Sequence, residues 1–204
     1  MKIYLIRHGE SLANLGLVSA VFSMDNQNGL SQKGENQIQA IIPAFQNCNI
    51  VRIFSSPMKR AVDSAKILQS GLINAPKIMI DDRLKEIDYG IYTDDRDNPE
   101  MQNIAKKQIA GDQEIRFGGG ENIREILERF LDFLVTTYKI RQNDEIIILS
   151  HGRLFSIVNK KIEELCQKKI KKSKIVNASI IEVELNNDEI NLLKTYLNTL
   201  KSQF

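Results

Sequence analysis

The feature that most constrains this chain is a pattern it uses twice. Ile3-Tyr4-Leu5-Ile6 runs without a break into Arg7-His8-Gly9-Glu10, and Ile146-Ile147-Ile148-Leu149 runs into Ser150-His151-Gly152-Arg153. Each is a short apolar stretch rich in β-formers and stopped by a His-Gly pair, which reads as a buried strand ending in a turn. The sequence holds two histidines in all, and both stand at these strand ends. In an open α/β sheet, ligands bind in the crevice outside the carboxyl ends of the strands. Two parallel strands of one sheet therefore bring both imidazoles to that edge.

The remaining periodicity alternates between strand and helix. Ser11 is a fair N-cap for a short helix over 11–17 that carries Asn14 on its first turn, and Val18 to Gly29 reads as a loop. Ile38, Ile41, Ile42 and Phe45 predict an amphipathic helix from Ser31 to about Phe45, with Pro43 a kink or stop. Ile50 to Phe54 is a second strand. Ser56-Pro57 then predicts a helix start, with Met58, Ala61, Val62, Ala65 and Leu68 on its buried face and Arg60 in its first turn. Lys77 to Ile80 is a third strand, and Pro99 to Ala110, Ile123 to Tyr138 and Leu154 to Cys166 are helices. In the tail, 175–185 and 189–196 read as strands around Asn186-Asn187-Asp188, a β-hairpin.

These elements predict an α/β chain with a single domain over 1–204. Its three α/β/α layers surround a mostly parallel sheet, to which the C-terminal hairpin adds antiparallel strands. The polar connection from Asp88 to Gly120 is long for a compact domain and predicts a lid or substrate segment.

Composition narrows the partners. Lys and Arg number 28 against 26 Asp and Glu, a formal charge of +2, so nothing in the balance asks for nucleic acid or a membrane surface. No apolar run has membrane-spanning length, and the first is too short for a signal-peptide core. Cys48 and Cys166 lie far apart and outside any metal-type pair, so two reduced thiols in a cytoplasmic protein are expected. The lysines at 168, 169, 171, 172 and 174 read as a solvated face.

At the carboxyl edge of the predicted sheet the chemistry-bearing candidates are Arg7, His8, Asn14, Arg60, Glu86 and His151. Two guanidiniums and a second imidazole beside one histidine suit a tetrahedral dianion, because Arg presents fixed, charge-assisted donors to phosphate oxygens. The same cations disfavour protonation of His8 and keep a ring lone pair free for attack. Expelling an alkoxide needs a proton as well, and a partly desolvated carboxyl group supplies one. Asp81, Asp82, Asp88 and Glu121 rival Glu86 for that task on residue type alone.

With those residues in view, the sequence resembles the histidine phosphatase superfamily, which includes cofactor-dependent phosphoglycerate mutases and many small phosphatases. The family's opening signature stands here as Leu5-Ile6-Arg7-His8-Gly9-Glu10-Ser11 with Asn14. Its LTxxGxxQA segment resembles Leu30-Ser31-Gln32-Lys33-Gly34-Glu35-Asn36-Gln37-Ile38. The arginine motif corresponds to Ser55 through Ala65, the acid motif to Leu84-Lys85-Glu86-Ile87-Asp88-Tyr89-Gly90, and the second histidine motif to Ser150-His151-Gly152. Two departures fall in or beside the expected lid: Tyr92-Thr93-Asp94 replaces the usual Trp-Glu-Gly, and Gly120-Glu121-Asn122 replaces Gly-Glu-Ser.

The resemblance implies that His8 becomes the phosphohistidine, that Arg7, Asn14, Arg60 and His151 bind phosphoryl oxygens, and that Glu86 is the general acid and then the base for water. It implies a phosphomonoesterase acting on a small-molecule phosphate ester without metal or cofactor, as a monomer or homodimer. Two alternatives stay open: a phosphoglycerate mutase-type isomerase with the same chemistry at His8, and a phosphate-binding module with little turnover.

Overall fold

The structure is a computed structural model that describes residues 1–18, 27–93, 98–109, 112–170 and 175–202. Five strands form one sheet in the order β3-β2-β4-β1-β5: β1 (Lys2–Arg7), β2 (Ile50–Ser55), β3 (Ile78–Ile80), β4 (Glu145–Ser150) and β5 (Ile180–Glu184). The first four are mutually parallel, and β5 runs antiparallel along β1. The helices are α1 (Gln32–Ile41), α2 (Lys59–Gly71), α3 (Pro99–Ile109), α4 (Ile123–Arg141), α5 (Gly152–Cys166) and α6 (Asn187–Lys201).

The two central strands β1 and β4 are apolar through their interiors, Ile3 to Ile6 and Ile146 to Leu149, because both of their faces are covered. Ile3, Leu5, Ile146 and Ile148 point into a core shared with α4, α5 and α6, while Tyr4, Ile6, Ile147 and Leu149 point into a second core under α1 and α2. This is the α/β/α sandwich expected from the sequence. Pro43 acts as the predicted stop, since α1 ends at Ile41 and a single 3₁₀ turn follows over Ile42–Phe45.

The turn after β1 is held by glycine on both sides of one contact. A Cβ on Gly34 would stand 2.0 Å from Glu10 O, and one on Gly9 would stand 2.3 Å from Gly34 O, so only bare backbone lets the start of α1 press against residues 9 and 10. Ser31 caps α1 by accepting from Gly34 N–H, and its hydroxyl donates to Glu10 Oε1.

Two details of the sequence reading are corrected. The C-terminal hairpin does not form: β5 supplies one antiparallel strand, and the second limb is the helix α6. Asn186 is its N-cap, in a reciprocal capping box with Glu189, and Ile190, Leu193, Leu197 and Leu200 are buried at helical spacing. The Asn-Asn-Asp cluster serves a helix start as well as a turn, and the apolar period decides. The helix after Ser56-Pro57 begins only at Lys59. Ser56 Oγ takes the Met58 N–H at 3.3 Å, forming a turn before the helix, so Arg60 still falls in the first turn as expected.

Of the expected lid, Gly90–Tyr92 form a 3₁₀ turn and α3 forms, while residues 94–97 and 110–111 lie outside the described residues. Residues 19–26 of the expected loop and residues 171–174 of the lysine run also lie outside them. Cys48 and Cys166 are both free thiols. Among the described residues, no helix is long and apolar enough to cross a membrane.

Candidate active site

β1 and β4 are neighbours that end level with each other, and that alignment builds the site. Arg7 pairs with Ser150 in the ladder, so the next residues out are His8 and His151. Their rings lie 5.2 Å apart between centroids, inclined at 63°. The His8 N–H still bonds Ser150 O at 3.0 Å, so the chain leaves the sheet only after the imidazole.

The ring of His8 is fixed at both nitrogens. Nδ1 lies 2.7 Å from Gly9 O, which only accepts, so Nδ1 carries the hydrogen and Nε2 carries the lone pair. Arg60 agrees with that assignment by donating its Nε–H to His8 Nε2 at 3.2 Å. Arg60 is 3% exposed, in the first turn of α2 and against the His8 imidazole. Arg7, at the end of β1, sends Nη1 to Ile175 O at 3.0 Å.

His151 is fully buried and is the N-cap residue of α5. Because Ser56 Oγ already accepts from Met58 N–H, its own hydrogen is available to His151 Nε2 at 2.8 Å. The neutral ring then bears its hydrogen on Nδ1, which is buried and has no hydrogen-bond partner among the described residues. Burial above all, and then the positive field of Arg60 and its neighbours, hold this imidazole well below its ordinary range, so it is neutral.

Glu86 is 8% exposed and accepts two backbone hydrogens on one oxygen: Oε1 takes Ile87 N–H at 3.1 Å and Leu154 N–H at 3.2 Å. The second bond reaches the first turn of α5, whose own N-cap side chain makes no capping bond. The acid loop thus satisfies one of the unpaired donors at the start of the helix that follows His151. Oε2 has no hydrogen-bond partner among the described residues.

Arg7, His8, Asn14, Arg60 and Glu86 line one cavity of about 380 Å³, with Tyr89 and Met101 contributed by the expected lid segment. His151 is not among the lining residues and packs its ring edge-on against that of His8. All six sequence candidates are therefore brought together, five on the wall and one through its contact with His8. Asn14 is in a reciprocal capping box with Ser11, and its Oδ1 also accepts from Asn177 Nδ2 at 3.3 Å, which turns its own amide hydrogens toward other partners.

Three contributors escaped the sequence reading. Asn177 ties Asn14 to the His8 carbonyl, donating to the latter at 3.1 Å. Arg153 stands on the cavity wall directly after His151-Gly152. Arg129 on α4 holds the acid loop from below: it donates to Arg83 O, Lys85 O and Glu86 O at 2.7, 2.9 and 3.4 Å, and pairs with both oxygens of Glu121. Glu121 in turn accepts Asp88 N–H at 3.0 Å, so Glu86 is bracketed on both sides. The Gly-Glu-Asn stretch at 120–122 was the one signal for this clamp. Its Asn122 caps α4 in a box with Glu125, the same service a serine performs there.

Taken together, the wall presents a nitrogen lone pair, two guanidiniums and a carboxyl group to one space, an arrangement suited to holding an anion. Among the described residues, no three His, Cys, Asp or Glu side chains cluster in a way that holds a metal ion.

Comparisons with known proteins bear on the fold and the family. A probable phosphoglycerate mutase GpmB of Erwinia tasmaniensis is 24% identical over 187 residues, covering 90% of this chain and 85% of that protein. The corresponding protein of Salmonella choleraesuis is 26% identical over 155 residues, covering 74% and 70%. Among solved structures, a mycobacterial glucosyl-3-phosphoglycerate phosphatase complexed with VO3 shares the fold with a TM-score of 0.72 at 19% identity, covering 93% of each chain. An Entamoeba histolytica phosphoserine phosphatase in complex with 3-phosphoglyceric acid shares it with a TM-score of 0.68 at 22% identity, covering 89% of each chain. The model of the histidine phosphatase superfamily (branch 1) matches residues 3–198, from the second residue of β1 into α6. A match that spans the whole sheet and both histidine-bearing strand ends makes this chain a member of the histidine phosphatase superfamily, branch 1.

Proposed function

We propose that this protein hydrolyses small phosphomonoesters through a phosphohistidine on His8 Nε2. The observation that carries the reading is the tautomer of His8: Gly9 O claims the Nδ1 hydrogen, and the remaining lone pair faces Arg60 on the wall of an arginine-lined cavity. The ester phosphate enters between Arg7 and Arg60, with the Asn14 amide as a further donor. The buried Nδ1–H of neutral His151 gains in a phosphoryl oxygen the acceptor it otherwise lacks.

Nε2 attacks phosphorus in line, the bond from phosphorus to the ester oxygen breaks, and Glu86 gives its Oε2 proton to the departing alkoxide. Glu86, now ionised, takes a proton from water as that water attacks the phosphohistidine. The N–P bond breaks, its electron pair returns to Nε2, and inorganic phosphate leaves. Tyr89 and Met101 bring the described part of the segment 88–120 to this space, as the substrate segment of a single domain. No step draws on a metal ion or cofactor.

The test is a phosphomonoester screen with wild type and His8→Ala side by side, with and without EDTA. Expected are EDTA-insensitive release of phosphate and an acid-labile phosphoenzyme, both absent in His8→Ala; hydrolysis that requires an added divalent ion overturns the mechanism. The names of the curated relatives favour a second reading, phosphoglycerate isomerisation. Phosphate release compared with isomerised phosphoglycerate in one reaction separates the two.

A further inference from the structure

The loop that carries Glu86 leaves a 3₁₀ turn at Leu84 and reaches Gly90 without joining a strand or helix, so its backbone groups need partners from elsewhere. The carbonyls of residues 83 to 86 all find them in side chains. Ser150 Oγ donates to Leu84 O at 2.7 Å, and Arg129 on α4 serves the other three. Every N–H of that guanidinium is engaged: Nη1 gives one to Arg83 O and one to Lys85 O, Nη2 gives one to Glu86 O and one to Glu121 Oε2, and Nε gives its own to Glu121 Oε1. Glu121 extends the hold by two residues. Its Oε2 also accepts Asp88 N–H at 3.0 Å, and its own N–H donates to Asp88 O at 2.9 Å.

None of these bonds reaches His8, Arg7, Arg60 or His151. They end on the backbone around Glu86, whose Oε1 is tied from the other side by Leu154 N–H of α5 at 3.2 Å. With the backbone held from α4 and one carboxyl oxygen held from α5, the position of Oε2 is set. The packing of α4 does not depend on Arg129, because Ile126, Leu127, Phe130, Leu131 and Leu134 anchor that helix at 1% exposure or less. The task does require a guanidinium. Its five donors diverge from a planar fork, whereas an ammonium presents three from a single nitrogen and cannot span three carbonyls and a carboxylate at once.

Resting on the phosphatase reading, we infer that Arg129, with Glu121 as its counterion, is the positioning residue for the leaving-group acid. It governs departure of the alcohol through Glu86 and leaves phosphate binding and attack by His8 unaffected.

The test sets an ester that needs the acid beside one that does not. For glycerol 3-phosphate, kcat is expected to fall about 30-fold in Arg129→Met and about tenfold in Arg129→Lys, a large part of the roughly 10²-fold weight of a general acid. For nitrophenyl phosphate under single turnover, nitrophenol is expected to appear within about twofold of the wild-type rate, and the inhibition constant of inorganic phosphate to move by less than about twofold. In a Glu86→Gln background, adding Arg129→Met is expected to cost glycerol 3-phosphate hydrolysis less than about threefold, because a residue that works through Glu86 has nothing left to place. Nitrophenol release that slows in step with the alkyl ester, an equal cost in both backgrounds, or full activity in Arg129→Lys overturns the assignment. Should urea melts show Arg129→Met to be unfolded, Arg129→Lys and Glu121→Gln carry the same comparison, each with a loss of about tenfold confined to the alkyl ester. Turnover of neither ester by wild type counts against the phosphatase reading itself, and the assignment falls with it.

Discussion

The two histidine turns begin from nearly the same local sequence and end as different chemical objects. After β1 the chain turns at Gly9 and leaves His8 on the cavity wall, with Nδ1 tied to its own backbone and Nε2 turned to Arg60. After β4 the chain goes straight into α5, which buries His151 completely and ties it to Ser56 through Nε2. One ring offers a lone pair and the other a hydrogen. In the mechanism we propose, nucleophile and phosphoryl donor are distinguished by which ring nitrogen the surroundings occupy, a choice that the His-Gly dipeptide does not contain.

Exchanging the losses breaks or upholds that contrast most sharply. His8→Ala is expected to lower kcat by at least about 10⁴-fold and to abolish the phosphoenzyme, as loss of a nucleophile does. His151→Ala should cost about 10²-fold while the phosphoenzyme still forms, in line with removal of one donor to developing charge. Acid-quench trapping distinguishes the two, and a phosphoenzyme that survives in His8→Ala reverses the assignment.

Glu86→Gln sharpens the contrast from the side of the acid. It should lower kcat for alkyl esters by about 10²-fold, the usual weight of general acid catalysis. A nitrophenyl ester, whose leaving group needs no proton, should instead give a stoichiometric burst of nitrophenol as the phosphoenzyme accumulates. Equal slowing of both esters with no burst excludes Glu86 as the acid.

The buried state of His151 also has a signature in stability. Its imidazole is held neutral by burial and by Arg60, whereas in the unfolded chain it takes up a proton near its ordinary pKa. As pH falls below about 6.5 the unfolded state binds more protons, so stability present at neutral pH is lost, by about 1 kcal/mol between pH 6.5 and 5.5 for one such group. Urea melts of His151→Asn over that interval should show a correspondingly shallower decline than wild type. Parallel declines refute the neutral assignment.

The smallest effect is expected at Asn177, which touches the His8 turn and nothing of the His151 turn. Asn177→Ala removes the bonds to His8 O and Asn14 Oδ1. A rise in KM of about fivefold at unchanged kcat is the expected outcome, since each of these two partly exposed hydrogen bonds is worth about 0.5 kcal/mol. A fall in kcat instead relocates its influence to the nucleophile.

The sequence disclosed the sheet where burial on both faces writes itself as unbroken apolar runs, as in β1 and β4. It disclosed the six site candidates because chemistry concentrates in short motifs at strand ends. It misjudged the tail because Asn and Asp favour turns and helix caps for the same reason, a side-chain oxygen that accepts a nearby backbone hydrogen. Arg129 and Asn177 were illegible for a different cause. Their work is done on backbone carbonyls and on residues distant in the chain, and carbonyls have no letter. Arg153 was overlooked because its place on the cavity wall follows from the fold and not from a motif.

One oxygen of Glu86 has a practical consequence for anyone who edits this enzyme. Since Oε1 bonds Leu154 N–H in the first turn of α5, the proton carrier we propose is also a bolt through the helix that follows His151. An alanine at 86 therefore removes an acid and loosens a scaffold in a single stroke, and its defect cannot be read as chemistry alone. Glutamine keeps a carbonyl where the bolt passes, and only against that variant does the alanine reveal how much of the lost rate was architecture.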